Sequence, residues 1–342
     1  MNQSTEPQGI IAKLFSFFKL TPEQREHALK PKDTRTWIIH GISELIGTIF
    51  ISLGLAGLST YIGSYTIEEH FLFLNVLVGF FAGFVIVGLC LFIFLRWSCD
   101  LNPIVTITRY LKGINNGWYA IYKIAIQIVG ALIAGAIILG VGNAASTFSD
   151  DSLLLPNKAI NAFGSASKIF ETFLPTTEQG KFFGGLGVIF ITEVFVSLIL
   201  LFSIFSPTIK SKYRDFMILF IISMSVWAGI LGGSAAINPA RGLAQQLPSL
   251  YLFGQITNPQ VAKSLIWSTV IMILGDLFAT FLYVFLQGFN EYYFNKMIHK
   301  LILYKNNWAN SMVTNKEALT GKDSNVEKDW ANETEVEIKK EK

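Results

Sequence analysis

The sequence predicts an all-α membrane protein with six transmembrane helices and two half-helices, arranged as two inverted repeats. Three observations support this fold class: the composition, the number of long apolar stretches, and two similar segments that begin with Asn-Pro. Of the 342 residues, 51% are hydrophobic and only 15% are charged, whereas about a quarter of a soluble domain is charged. The net charge is only +3 and the basic residues form no stripe, which argues against a nucleic-acid partner.

Six stretches are apolar and long enough to cross the ~30 Å hydrocarbon core of a bilayer. They are residues 37–58, 71–95, 118–140, 182–205, 215–233 and 265–287. Twenty-two of the 27 Lys and Arg residues fall on one side of these spans and five on the other. Because basic residues mark the cytoplasmic side, we expect a multi-pass protein of the cell membrane with both termini in the cytoplasm.

Two short segments in this apolar sequence look alike. They are residues 101–105 (Leu-Asn-Pro-Ile-Val) and residues 237–241 (Ile-Asn-Pro-Ala-Arg). Asn is a good N-cap and Pro is tolerated at the first helical position, so each Asn-Pro predicts a helix start. About ten residues at ~1.5 Å each make a helix of about 15 Å, half of the hydrocarbon core. Two such helices entering from opposite sides meet tip to tip at the membrane centre, which is the arrangement of a pore.

Two carboxylates inside the spans, Glu44 and Glu193, mark an internal repeat. Residues 43–48 (Ser-Glu-Leu-Ile-Gly-Thr) match residues 192–197 (Thr-Glu-Val-Phe-Val-Ser), and a similar match links the third span to the sixth. Each half contains three spans, which is an odd number. The second half must therefore be inverted relative to the first.

These features together resemble the major intrinsic protein family, the aquaporins and glycerol facilitators, over residues 37–287. Residues 232–241 (Gly-Gly-Ser-Ala-Ala-Ile-Asn-Pro-Ala-Arg) are similar to the second Asn-Pro-Ala motif of that family, and residues 100–106 to the first. The resemblance implies homotetramers with one pore per subunit, no cofactor and no enzymatic activity. The pore motifs that it implies are Asn102, Pro103 and Ile104 in the first half, and Asn238, Pro239 and Ala240 in the second.

The resemblance also divides the chain into domains. The expected parts are a cytoplasmic N-terminal segment (1–36), an aquaporin-like channel domain (37–287) and a charged cytoplasmic tail (288–342). Within the channel domain, repeat one covers 37–140 and repeat two 182–287, and the outer loop 141–181 joins them. From about residue 305 the tail is rich in Lys, Glu and Asn, so we expect it to be disordered.

The chemistry of the two helix tips favours uncharged solutes. Each half-helix carries about half a positive charge at its N-terminus, so two tips that face a narrow passage repel cations, protons included. The amides of Asn102 and Asn238 can donate to a passing oxygen. Arg241, in the first turn of the second half-helix, is expected at the outer end of the pore, where it binds hydroxyl or water oxygens. Two alternatives to these roles remain. The Asn-Pro pairs could mark ordinary loops, and Arg241 could be a surface residue.

Carboxylates inside spans are costly, so Glu44 and Glu193 each require a partner. The resemblance implies that each accepts hydrogen bonds from the loop before a half-helix, and proton-coupled transport is the alternative. Gln127 in the third span has a similar bracing interpretation, whereas its repeat mate is the apolar Met272. Asp276, in the sixth span, is expected to face a cavity or a neighbouring subunit, or to be neutral.

The family's narrowest ring, counted from the motifs, comprises Ala82, Val226, Ala235 and Arg241 here. Phe81 replaces Ala82 if the register is off by one. Water-selective members usually have an aromatic residue and His at the first two positions. Small or apolar residues there widen the ring and favour glycerol-type solutes with water over water alone.

Three further residues, Gly242, Ile104 and Asp100, depart from the family pattern. Gly242 stands where glycerol facilitators usually carry Asp, which favours the alternative of a strictly water-selective aquaporin. Ile104 in place of Ala is expected to narrow the midpoint of the pore. Asp100, where His is common, either adds negative charge to the inner mouth or pairs with Arg96. Cys99 is expected to line the pore, and a buried inert cysteine is the alternative.

Two other function classes remain open at this point. A proton- or ion-coupled transporter would use Glu44, Glu193, Asp100 and Asp276. A non-conducting membrane adhesion or scaffold protein would use the 141–181 loop or the tail. No metal-ligand spacing emerges from the sequence. The partners expected for a channel are the lipid bilayer and small neutral solutes such as water and glycerol.

Overall fold

The computed structural model describes residues 9–62, 65–68, 72, 76–146, 177–207, 209–256 and 258–312. The helices are α1 (Ile10–Leu14), α2 (Thr34–Ala56), α3 (Val78–Phe94), α4 (Pro103–Leu111), α5 (Gly117–Ser146), α6 (Glu178–Phe205), α7 (Ser211–Gly232), α8 (Pro239–Tyr251), α9 (Pro259–Phe289) and α10 (Asn295–Met312). Two-residue strands β1 (Tyr61–Ile62) and β2 (Tyr65–Thr66) pair antiparallel. The predicted all-α membrane fold class is confirmed.

Five of the described helices, α2, α5, α6, α7 and α9, are long and apolar enough to cross a membrane. The remaining predicted span corresponds to α3, which is shorter. Its predicted start at residue 71 lies outside the described residues, and in the described part of the chain the helix begins at Val78. Hydropathy measures apolar composition and does not fix where a helix starts.

Helix α3 contains a π-helical segment, Phe81–Val87, and lies against α7 through glycines. A methyl group at Gly83 would overlap the carbonyl oxygen of Leu219, and one at Gly79 would meet the ring of Trp227. The absence of side chains at these two positions therefore lets the two helix backbones approach closely.

Helices α4 and α8 are the two predicted half-helices, with 9 and 13 residues. Each has its Asn as N-cap and its Pro at the first helical position, as the Asn-Pro signal predicts. Gly233 ends α7 with a φ of 74°, a left-handed conformation that glycine adopts without strain. This turn sends the chain into the loop that leads to α8.

Small residues on α5 pack against other helices of the same chain. Ala131 and Ala134 are buried in one cluster with Ala240 and Ala244 of α8. Gly130 faces Thr48 of α2, where an added Cβ would lie 3.0 Å from the Thr48 Cβ. These small residues are therefore used in packing within the chain.

The segment before α2 is joined to the end of the first half-helix by backbone hydrogen bonds. Lys19 N–H donates to Leu111 O at 2.8 Å, and Leu29 N–H to Ile114 O at 2.8 Å. Asp33 then caps α2. The backbone N–H and the hydroxyl of Thr36 both donate to this carboxylate. These hydrogen bonds, and mainly the one from the N–H, lower the pKa of Asp33.

Residues 1–288 and residues 289–342 form two compact units. In the second unit, a π-helical turn (Asn290–Phe294) precedes α10. The prediction of disorder from about residue 305 is wrong as far as Met312, because the apolar residues of 297–304 continue a helical pattern. Most of the predicted outer loop (147–176) and the rest of the tail (313–342) lie outside the described residues.

Candidate functional site

The N-termini of the two half-helices meet through their capping asparagines. Asn102 Oδ1 accepts from Ile104 N–H at 3.1 Å, and Asn102 Nδ2 donates to Ile237 O at 3.1 Å. In the other half, Asn238 Oδ1 accepts from Ala240 N–H at 3.0 Å. Asn238 Nδ2 donates to Leu101 O at 2.7 Å. Each asparagine thus caps its own helix and bonds to the backbone of the opposite half.

The residues before the two asparagines have strained backbones. Leu101 has a φ of 49° and Ile237 a φ of 59°, a region that bulky residues rarely occupy. Such a conformation costs about 1–3 kcal/mol per residue and persists only where surrounding contacts hold it. Its presence at matching positions shows that the two loops are built alike.

Glu44 of α2 holds the first of these loops. Its Oε1 accepts from Asp100 N–H at 2.9 Å, and its Oε2 accepts from Leu101 N–H at 2.8 Å. The Ser98 hydroxyl donates to Oε1 at 2.6 Å and the Gln127 amide to Oε2 at 2.8 Å. The carboxylate is fully buried, so these donors replace the water that it has lost.

Glu193 of α6 holds the second loop in the same way. Its Oε1 accepts from Ala236 N–H at 2.9 Å, and its Oε2 from Ile237 N–H at 3.0 Å. The Ser234 hydroxyl also donates to Oε1. In both halves a buried carboxylate therefore binds the N–H group of the strained residue.

Asp100 lies in a cluster of charges beside Glu44. Its carboxylate is 2.9 Å from Arg109 Nε and also contacts Lys123 Nζ, which is 3.3 Å from Glu44 Oε1. Of the two alternatives expected for Asp100, the pairing with Arg96 is wrong. The Asp100 carboxylate instead pairs with Arg109 of α4 and Lys123 of α5.

A cavity of about 510 Å³ runs past both asparagines. Glu68, whose charge acts on Arg241, lines it together with Arg241, Arg109 and Asp215. A second cavity of about 550 Å³ shares Cys99, Asp100 and Arg109 with the first.

The four residues predicted for the constriction, Ala82, Val226, Ala235 and Arg241, all line the first cavity. Phe81 is not among the described residues that line it. Arg241 Nη1 donates to Ala235 O at 2.9 Å, which fixes the guanidinium against the cavity wall. Arg241 Nε is buried without a hydrogen-bond partner among the described residues.

Ile104 does not narrow the midpoint of the cavity, contrary to the sequence prediction. Its side chain is fully buried in a core cluster with Leu201, Phe205 and Tyr283. The next residue, Val105, lines the cavity instead. The direction of each side chain depends on the rotation of α4 about its axis, which the motif alone does not give. Pro103, Pro239 and Ala240 are buried in the first turns of α4 and α8.

Neither the protein-family models nor the curated protein sequences give a match to this chain. Among solved structures, the X-ray structure of the aquaglyceroporin from Plasmodium falciparum is similar, with a TM-score of 0.51 and 15% sequence identity. The match covers 72% of this chain and 96% of that one. The chain has an aquaporin-like fold. The fold that the sequence resemblance implied is thus confirmed.

Asp276 is expected from the sequence to face a cavity or a neighbouring subunit, or to be neutral, and the first two of these expectations are wrong. Asp276 is fully buried among helices of its own chain and is not among the described residues that line either cavity. Its Oδ1 accepts from the Ser197 hydroxyl, and its carboxyl group interacts with that of Glu193. It is therefore part of the bracing of the second half.

Several residues of the site were missed in the sequence. Ser98 and Ser234 each lie four residues before a motif asparagine, so the repeat itself contained their signal. Lys123 was missed, although it lies four residues before Gln127 and residues at that spacing share one face of a helix. Glu68 follows β2, and no sequence signal connected it to Arg241.

Proposed function

We propose that this chain is a membrane channel for the passive transport of small uncharged solutes, of the glycerol type and water, which excludes ions and protons. The observation that carries the proposal is the meeting of two capped half-helix N-termini, Asn102 and Asn238, beside one cavity. Each terminus contributes about half a positive charge, so the midpoint of the cavity repels cations.

The residues at the Arg241 end of the cavity support a pore for glycerol-sized solutes. Ala82 and Val226 stand where water-selective aquaporins usually have an aromatic residue and His. Much of the cavity wall is therefore apolar and suits a solute with a carbon skeleton. The Arg241 guanidinium supplies donors for hydroxyl groups on one side.

A strictly water-selective aquaporin is the alternative that Gly242 favoured in the sequence. An added Cβ at this position would meet Ala236 and Met272, and Gly242 is not among the described residues lining the cavity. The absence of Asp at position 242 is therefore weak evidence against a channel for glycerol.

The contacts of Glu44 and Glu193 favour a channel over a proton-coupled transporter. Each carboxylate accepts two backbone N–H groups and a serine hydroxyl, so protonating either one would break bonds that hold a strained loop. A non-conducting scaffold would rely on the outer loop or the tail, which lie mostly outside the described residues. We propose that the chain is a channel and not an enzyme.

We place the channel in the cell membrane with both termini in the cytoplasm, because basic residues lie mostly on that side. A homotetramer with one pore per subunit remains a proposal from the resemblance. Exposed apolar side chains on the spans, such as Ile46, Phe183 and Phe195, fit contact with lipid or with neighbouring subunits.

The proposal is tested by stopped-flow light scattering on proteoliposomes that contain the wild type or the double variant Ala82→Phe, Val226→His. We expect the double variant to lose at least about tenfold of its glycerol permeability and to keep its water permeability, because a ring and an imidazole narrow the constriction. Leu89→Phe, on the exposed face of α3, is the matched control and should leave both permeabilities unchanged.

Unchanged glycerol flux in the double variant would contradict the constriction assignment. Wild-type glycerol uptake that saturates at low substrate and follows a pH gradient would favour a coupled transporter. No change in permeability over protein-free vesicles would support a scaffold.

A further inference from the structure

The second repeat contains two buried carboxyl groups in contact, Glu193 on α6 and Asp276 on α9. Both residues have 0% of their surface exposed. Ser197, one helical turn after Glu193 on α6, donates to Asp276, and a Cβ added at Gly275 would lie 3.0 Å from the Cβ of Glu193, so the two carboxyl groups are close neighbours. Asp276 Oδ1 accepts from the Ser197 hydroxyl. Among the described residues, Asp276 Oδ2 has no hydrogen-bond donor. An ionised Asp276 would therefore have one satisfied oxygen and one facing a like charge.

Two adjacent carboxylates in a membrane interior cannot both be ionised without large cost. Arg241 is a cation whose charge acts on the pair. Its Nη1 is committed to the Ala235 carbonyl, and its side chain lines the cavity. One guanidinium at that position can balance one of the two charges, so the other carboxyl must carry a proton.

The hydrogen bonds indicate which carboxyl holds the proton. Glu193 accepts from Ala236 N–H, Ile237 N–H and the Ser234 hydroxyl, a donor set that requires acceptor oxygens on both sides. Asp276 accepts from a single hydroxyl. Protonating Asp276 leaves every one of these bonds intact, whereas protonating Glu193 competes with its donors.

The first repeat shows what the proton replaces. There the Gln127 amide donates to Glu44 Oε2 at 2.8 Å, but the matching residue of the second repeat is Met272, which has no donor. Asp276 lies four residues after Met272, one turn along the same helix. It can supply the missing side-chain donor only in its acid form.

We propose that Asp276 is a permanently protonated positioning residue whose carboxylic O–H donates to Glu193 and so helps to hold the loop before α8. This inference goes beyond the proposed function. Its two readouts, an infrared band and a melting temperature, do not depend on solute flux, so they can fail or succeed independently of the channel.

The first readout is infrared spectroscopy of the full chain in lipid nanodiscs at neutral pH. We expect the wild type to show the carbonyl stretch of a buried protonated carboxylic acid, shifted in D2O. The band is lost in Asp276→Asn and kept in Asp33→Asn, which changes an exposed N-cap to another good N-cap. Absence of the band from the wild type overturns the proposal, and this outcome does not depend on whether any variant folds. Persistence of the band in Asp276→Asn also overturns it.

The second readout is the melting temperature of the purified variants. Asp276→Asn keeps a donor for Glu193, so we expect its melting temperature to stay within about 2 °C of the wild type. Asp276→Ala leaves Glu193 without that donor and Ser197 without its acceptor, so we expect a fall of about 5 °C or more. Equal falls in the two variants would show that the charge of Asp276 matters and would overturn the proposal.

Discussion

In the first repeat, Glu44 lies 3.3 Å from the ammonium group of Lys123, whereas in the second repeat Glu193 lies against the carboxyl group of Asp276. Both carboxylates nevertheless bind two backbone N–H groups of the loop before a half-helix. The comparison separates two requirements. The loop geometry needs a buried acceptor at this position, and the surrounding charges can be balanced in different ways.

The largest expected effect comes from breaking the charge balance of the first repeat. Lys123→Met leaves Glu44 and Asp100 without their shared cation, and removing one partner of a buried ion pair costs about 3–5 kcal/mol. Thermal unfolding of the purified protein in detergent measures this loss.

The matched control is Lys212→Met, an exposed lysine whose replacement should change the unfolding temperature little. Adding Asp100→Asn to Lys123→Met leaves one carboxylate, Glu44, and one cation, Arg109, in the cluster and should recover part of the stability. If Lys123→Met unfolds like the wild type, Lys123 does not balance these carboxylates.

A smaller effect is expected from giving the first repeat the residue of the second. Gln127→Met removes the 2.8 Å bond to Glu44 and the 3.2 Å bond to Thr106. Losing a donor to a buried charged acceptor costs about 1–3 kcal/mol, which denaturant or thermal unfolding can detect. Met272→Leu is a volume-conserving control that should cost less than about 1.5 kcal/mol. Equal costs for the two variants would mean that the Gln127 hydrogen bonds contribute nothing measurable.

The smallest effect on stability is expected at Cys99, whose counterpart in the second repeat is Ala235. Cys99→Ala should change the unfolding free energy by less than about 1 kcal/mol, because the side chain is only partly buried. Since Cys99 lines both cavities, a mercurial should reduce flux through the wild type and not through this variant. Cys90→Ser keeps Cys99 and should keep the block. Equal block of wild type and Cys99→Ala would remove this thiol from the conducting path.

The sequence predicted those features that local chemistry and repetition determine. Asn102 and Asn238 are capping residues followed by Pro, so their helix starts can be predicted without tertiary information. Glu44 and Glu193 are recognisable because they recur in matching contexts inside apolar spans. Among the described residues, the five long apolar helices follow from the apolar stretches of the sequence.

The features that the sequence did not reveal depend on three-dimensional placement. The positive φ values of Leu101 and Ile237 arise because two loops and two carboxylates hold them, and neither residue type favours that conformation. The burial of Ile104 depends on how α4 is rotated. Lys123 becomes a partner of Asp100 only because α5 packs beside α4, which no spacing in the sequence shows.

A simultaneous record of glycerol uptake and internal pH in proteoliposomes that contain the wild-type chain tests whether the two half-helix tips form a passage for uncharged solutes. Two positive helix tips and two asparagine amides at one conduit predict glycerol uptake well above protein-free vesicles, without saturation at low concentration. They also predict no change in internal pH when a proton gradient is imposed. Glycerol uptake accompanied by proton movement, or uptake equal to that of protein-free vesicles, would contradict the account.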